Sequence, residues 1–126
     1  MPITYEIDAE RRIVFTKSSG TVTDEELLAH KVELTNDPSF CPTMVQICDC
    51  RHIEGFDGTS DGIRAMVEFD RKNAERRRGH RVACVVTCDE MFGMARMYSQ
   101  RSEGGPQQIG VFRSIHEAEA WLAGKA

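Results

Sequence analysis

Four runs of apolar, strand-forming residues in this chain are each followed by residues that open helices. Ile13-Val14-Phe15 leads to Thr23-Asp24-Glu25-Glu26, and Val45-Gln46-Ile47 leads to Gly58-Thr59-Ser60-Asp61. Val82-Ala83-Cys84-Val85-Val86 leads to Thr87-Cys88-Asp89-Glu90, and Ile109-Gly110-Val111-Phe112 leads to Ser114-Ile115-His116-Glu117. Alternation of this period folds into one kind of architecture, a largely parallel sheet sheathed by helices.

Ahead of it, Ile3, Tyr5 and Ile7 alternate with polar residues, and Asp8-Ala9-Glu10-Arg11 has turn chemistry. Ile3–Asp8 and Arg12–Ser18 therefore read as an antiparallel hairpin that opens the fold. The expected class is α/β: a five-stranded mixed sheet with four helices, one domain over residues 1–126. Val82–Val86 is apolar without interruption, which predicts burial on both faces and a central parallel position.

Helix boundaries follow from local signals. Thr23 and Glu26 make a capping box, and Asn36-Asp37-Pro38 stops that helix. The loop Asp49–Thr59 precedes the longest helix, Ser60 to Arg78, on which Ile63, Met66, Val67, Asp70, Ala74 and Arg77 share a face. At 1.5 Å per residue it spans about 28 Å. A six-residue strand covers only about 20 Å, so the turns bearing Arg76-Arg77-Arg78 are expected to overhang the sheet in solvent, closed by Gly79. A third helix runs from Glu90 to Ser102, and a fourth begins at the Ser114/Glu117 capping box.

Net charge is −4, with 14 acids and 6 bases in residues 1–70 and 6 acids and 10 bases beyond. An acidic domain without aromatics among its bases does not fit nucleic-acid binding. The longest apolar run has five residues, which excludes stable membrane insertion by a helix. The first residues lack the regions of a secretory signal, so a cytoplasmic location is expected. Five cysteines without CxxC spacing argue against a disulfide framework and a zinc site, and no cofactor motif is present. Cys48 and Cys84 fall in strands as small hydrophobes. Cys50 and Cys88 are the thiols to weigh for a thiol-dependent enzyme.

In open α/β sheets, ligands bind beyond the carboxyl ends of the strands. That rule selects Asp49–Asp61, Thr87–Glu90 and Arg113–His116. Arg51, His52, Asp57, Asp89 and Arg113 are the candidates there for polar contacts with a ligand or protein partner. Ser60 or Thr59, at a helix start, can receive a phosphate on free backbone N–H groups. Phe69, Met91, Phe92, Met94 and Tyr98 are candidate walls for an apolar pocket.

The order of elements, with Tyr5-Glu6-Ile7-Asp8, Val22-Thr23-Asp24-Glu25-Glu26-Leu27, Phe92-Gly93-Met94-Ala95-Arg96-Met97-Tyr98 and the stretch Val111 to Leu122, resembles the SpoIIAA-like, or STAS-like, domain family. The likeness is greatest to its short stand-alone bacterial members. In the antagonist branch an Asp-Ser-Ser-Gly stretch carries a regulatory phosphoserine. Here Asp57-Gly58-Thr59-Ser60-Asp61-Gly62 stands in its place, with Gly58 and Thr59 at the serine pair and Ser60 at the glycine. The stand-alone members also look like the lipid-binding CRAL-TRIO fold, which implies a small apolar ligand between helices.

Three functions remain open on sequence: a non-catalytic regulatory or binding module acting at the strand ends, a carrier of a lipid-like molecule, and a thiol-dependent enzyme. Homodimerisation is compatible with a domain of this size.

Overall fold

The computed structural model describes residues 2–124. Among them it contains strands β1 (Ile3–Asp8), β2 (Ile13–Thr23), β3 (Val45–Asp57), β4 (Arg81–Val85) and β5 (Gln108–Phe112) in one sheet of order β1-β2-β3-β4-β5. The β1–β2 pair is antiparallel and every later pair is parallel. Helices α1 (Asp24–Asn36), α2 (Ser60–Lys72) and α4 (Asp89–Arg101) pack on one face, while α5 (Ile115–Leu122) covers β3 to β5 on the other. A short α3 (Ala74–Arg77) follows α2. The mixed sheet is as expected, and β4 lies inside it, with Val82, Ala83, Val85 and Val86 all buried.

The caps read from sequence are in place. Thr23 and Glu26 close a reciprocal box at α1, and the Ser114 hydroxyl accepts the Glu117 N–H at α5. At Ser114 the return bond differs: its hydroxyl, not its backbone N–H, donates to the Glu117 carboxylate at 3.2 Å.

Three expectations are corrected. First, Asp49–Asp57 is strand, not loop. β2 and β3 stay paired to Thr23 and Asp57, well past the last β3–β4 pair at Asp49 and Val85, forming a two-stranded tongue with two register shifts.

Second, the helix after Thr59 is not continuous to Arg78, so the described residues hold five helices rather than four. It breaks at Asn73, whose φ of −112° is non-helical and whose side-chain amide donates to the Phe69 carbonyl at 2.9 Å. An Asn side chain competing for the i−4 carbonyl loosens the helical ladder.

Third, the Arg run is solvated only in part. The break turns α3 inward, leaving Arg77 1% exposed. Arg76, exposed overall, donates to the Thr35 carbonyl, while Arg78 is exposed. Gly79 closes the segment with φ of +84°, a left-handed geometry that glycine adopts without cost.

Candidate functional site

The strand-end residues form separate, internally satisfied groups. Arg51 makes a two-pronged contact with Asp49, at 2.9 and 3.0 Å. Arg113 donates to the Thr87 carbonyl and the Asp89 carboxylate, both at 2.9 Å, with its guanidinium 3.8 Å from the Phe92 ring centroid. His52 and Asp57 are exposed on the tongue. Six residues of strand carry Asp57 about 20 Å from Arg51, so Asp57 stands apart from Arg51, while Asp89 and Arg113 pair with each other.

At the start of α2, Thr59 is the N-cap: its hydroxyl accepts the Gly62 N–H and donates to Asp24 at 2.6 Å. The Asp24 carboxylate also accepts the Thr59 backbone N–H, at 3.0 and 3.1 Å. A carboxylate of the chain itself thus occupies this helix N-terminus, where anions are favoured. Ser60 is exposed, and its carbonyl lies 3.5 Å from an Arg101 guanidinium nitrogen.

Gly62 makes the Asp24 latch possible, since a Cβ there would stand 2.0 Å from Asp24 Oδ1. Gly62→Ala is expected to expel Asp24 and cost about 1–3 kcal/mol, the scale of a lost charged cap. A urea titration checks it. Unchanged stability would mean the latch contributes nothing.

A second kind of site lies inside the protein. Between the sheet and α1, α2 and α4 is a cavity of about 100 Å³. Apolar walls come from Leu27, Leu34, Ile63, Met66, Val82, Met91, Met94 and Ala95, and polar groups from Thr16, His30, Lys31, Gln46, Arg77 and Tyr98. Of the five pocket residues expected from sequence, Met91, Met94 and Tyr98 line this cavity. Phe92 packs instead under Arg113, and half-buried Phe69 lies away from it.

Behind the cavity is a buried polar network. Asp70, 2% exposed, holds Lys31 at 3.1 Å and Arg77 at 3.6 Å on one carboxylate oxygen. Its other oxygen accepts from Tyr98 at 2.6 Å and from Gln107 at 2.8 Å. Arg77 is completed by Gln107 and Thr35. Burial, with Arg77 adding to it, draws the Lys31 amine down to about 8. Burial likewise lowers His30 to about 4 and His80 to about 3, and raises Tyr98 well above its ordinary value.

Three thiols face the same space. Cys48 and Cys84 are register partners on β3 and β4, both are half-buried, and both line the cavity. A hydrogen bond from Cys84 and the Lys31 and Arg77 cations draw Cys48 down, while Cys84 rises well above its usual range by that same bond and by burial. Burial pushes Cys50 far up. Cys88 is exposed at the start of α4. Cys41, not singled out from sequence, is half-buried and is lowered to about 7 by hydrogen bonds from Thr43. Iodoacetamide at pH 7.5 is therefore expected to label Cys41 first and Cys50 last, since the thiolate is the nucleophile. Peptide mapping checks the order, and early labelling of Cys50 would contradict it.

A wider depression of about 600 Å³ lies on the surface between β1 and α1, bordered by Tyr5, Glu26, Glu33 and Asp37. Among the described residues no set of three or more His, Cys, Asp or Glu side chains is arranged to hold a metal ion, and no helix is long and apolar enough to cross a membrane.

Comparison with solved structures places this architecture. An uncharacterised protein of the DUF3478 family from Shewanella loihica PV-4, described as having a SpoIIAA-like fold, matches with a TM-score of 0.55. The match covers 95% of this chain and 91% of that one, at 18% identity. The fold is SpoIIAA-like. No protein-family model and no curated protein matches the sequence. At that identity the likeness fixes the SpoIIAA-like architecture and leaves the chemistry to this chain's own residues.

Proposed function

We propose that this SpoIIAA-like protein is a small-molecule-binding module whose ligand occupies the cavity beneath α1, α2 and α4. The observation that carries this reading is the cavity itself, with apolar walls meeting buried charged and polar groups. Protein interiors are close-packed, with few voids larger than a water. A small number of polar groups in a mostly apolar pocket is the usual composition of a ligand site. The strand-end residues weigh less in this reading, because Arg51, Arg113 and Thr59 already spend their bonding capacity on Asp49, Asp89 and Asp24.

Size narrows the cargo. A dry cavity of about 150 Å³ accepts benzene, whereas sites for drug-sized molecules hold about 300–1,000 Å³. A space of about 100 Å³ that is partly open to solvent suits a compact molecule of about six carbons, not all of it enclosed, rather than a diacyl lipid. The role supported is thus binding a compact amphiphile, as sensor or carrier.

Filling the space tests it. Ala95→Trp is expected to abolish binding of 1-hexanol, read by calorimetry, while the folded state persists in circular dichroism. Met97→Ala, off the cavity, should leave binding within about twofold. Hexanol binding that survives Ala95→Trp would refute the reading.

A further inference from the structure

Resting on the cavity reading above, we propose that the ligand is a small monoanionic acid, its carboxylate held by the Lys31 ammonium and its apolar body against Ile63, Met91 and Met94. The argument begins with a charge imbalance. Two buried cations, Lys31 and Arg77, share the single carboxylate of Asp70. The Asp70 oxygen they do not share is taken by Tyr98 and Gln107. Arg77 has further partners in Gln107 and Thr35. Lys31 has three N–H bonds to give, and Asp70 is the one ionic partner found for it among the described residues. Lys31 is 8% exposed and lines the cavity.

A surplus buried charge is costly unless something pairs with it. His30 and His80 are held neutral by burial and add no charge to the network. The carboxylates of Glu26, Glu33 and Asp37 border the outer depression between β1 and α1, not the cavity.

Cys48 as a thiolate could balance Lys31 without a ligand, and the bonding around Gln46 decides against it. His80 Nδ1 is 2.8 Å from the Met44 carbonyl, which only accepts, so neutral His80 carries its proton there. His80 Nε2 is then bare, 2.8 Å from the Gln46 side-chain amide. That contact becomes a hydrogen bond only when the amide turns its NH₂ to His80. The Gln46 amide nitrogen stands 2.9 Å from the Thr16 hydroxyl and 3.4 Å from the Cys48 sulfur, and that turn puts the carbonyl in its place. A carbonyl facing the sulfur favours S–H over thiolate, and one positive charge remains for an incoming anion. One surplus charge selects a monoanion, and a carboxylate gains charge-assisted hydrogen bonds from the ammonium.

Hexanoate and 1-hexanol, titrated calorimetrically into the intact protein at pH 7, separate the charge claim from the cavity claim. Wild type is expected to bind hexanoate at least tenfold more tightly than hexanol. Lys31→Met should erase that preference, bringing the hexanoate and hexanol affinities within about threefold of each other. Equal affinities in wild type, or tighter hexanol, would overturn the monoanion proposal and leave the cavity reading standing. Binding of neither probe would overturn both. If the variant does not fold, the wild-type ratio still decides.

Discussion

Asp70→Asn is expected to lower unfolding free energy by about 3–5 kcal/mol, the usual cost of removing one partner from a buried ion pair. The reason is the company Asp70 keeps. Lys31 can shed its proton when its counter-charge is lost, but Arg77 cannot, because a guanidinium stays charged at any accessible pH. Asn retains bonds to Tyr98 and Gln107 but leaves an arginine that is 1% exposed without a carboxylate. For a chain of 126 residues this is a drop of roughly 10–20 °C in Tm. Lys31→Met provides the contrast. It removes the surplus cation and leaves Asp70 and Arg77 matched, so stability should change by less than about 1 kcal/mol. Urea titrations of both variants check the asymmetry. Equal losses would mean that Lys31 and Arg77 are not distinguished by the network.

Acid should unfold the protein earlier than its carboxylates alone would dictate. His30 and His80 have pKa values of about 4 and about 3 in the fold, against an ordinary 6.5. Above pH 6.5 both are neutral in either state and cost nothing. As pH falls below 6.5 the unfolded chain takes up two protons that the native state refuses, and stability declines. The slope is about 1.4 kcal/mol per pH unit for each histidine, or about 4 kcal/mol lost for the pair by pH 5. The penalty levels off only as pH passes the folded values. Domains of this kind are stable by about 5–15 kcal/mol in total, so a midpoint of acid unfolding between pH 5 and 4 is expected. His80→Asn should roughly halve the slope. A flat stability profile from pH 7 to 5 would show that these histidines charge freely in the native state.

The large-scale fold was legible because each element announces itself locally. The Thr23/Glu26 box and the glycine at 79 fix chain direction without tertiary help. An unbroken Val82–Val86 run has no stable place except the interior. The tongue was not legible. Cys50 to Asp57 holds Arg51, His52, Glu54 and Asp57, polar residues with exposed side chains, and only Cys50, Ile53 and Phe56 pack inward, without strict alternation, while β2 pairs along it.

The inward turn at Asn73 escaped for another reason. No proline or glycine marks it, and the local feature at the break is a side-chain hydrogen bond from Asn73 to the Phe69 carbonyl. The helical phase had already placed Arg77 with Ile63, Met66, Val67 and Asp70, yet charge suggested solvent. The phase was the better guide.

Part of the candidate pocket was visible as Met91, Met94 and Tyr98 along one helix. Its polar side was not, because Thr16, Lys31, Gln46, Cys48 and Arg77 come from four different elements and meet only once the sheet is assembled. Cys48 and Cys84 are 36 positions apart in sequence and become neighbours through the parallel β3–β4 register alone.

Mapping ¹⁵N and ¹³C-methyl chemical shifts during a titration with 1-hexanol bears most directly on the cavity as the binding site. The account predicts saturable shifts centred on Cys48, Cys84, Met91, Met94 and Tyr98. Shifts centred on Arg51, Asp89 and Arg113, or none at any residue up to saturation of the solution, would contradict it.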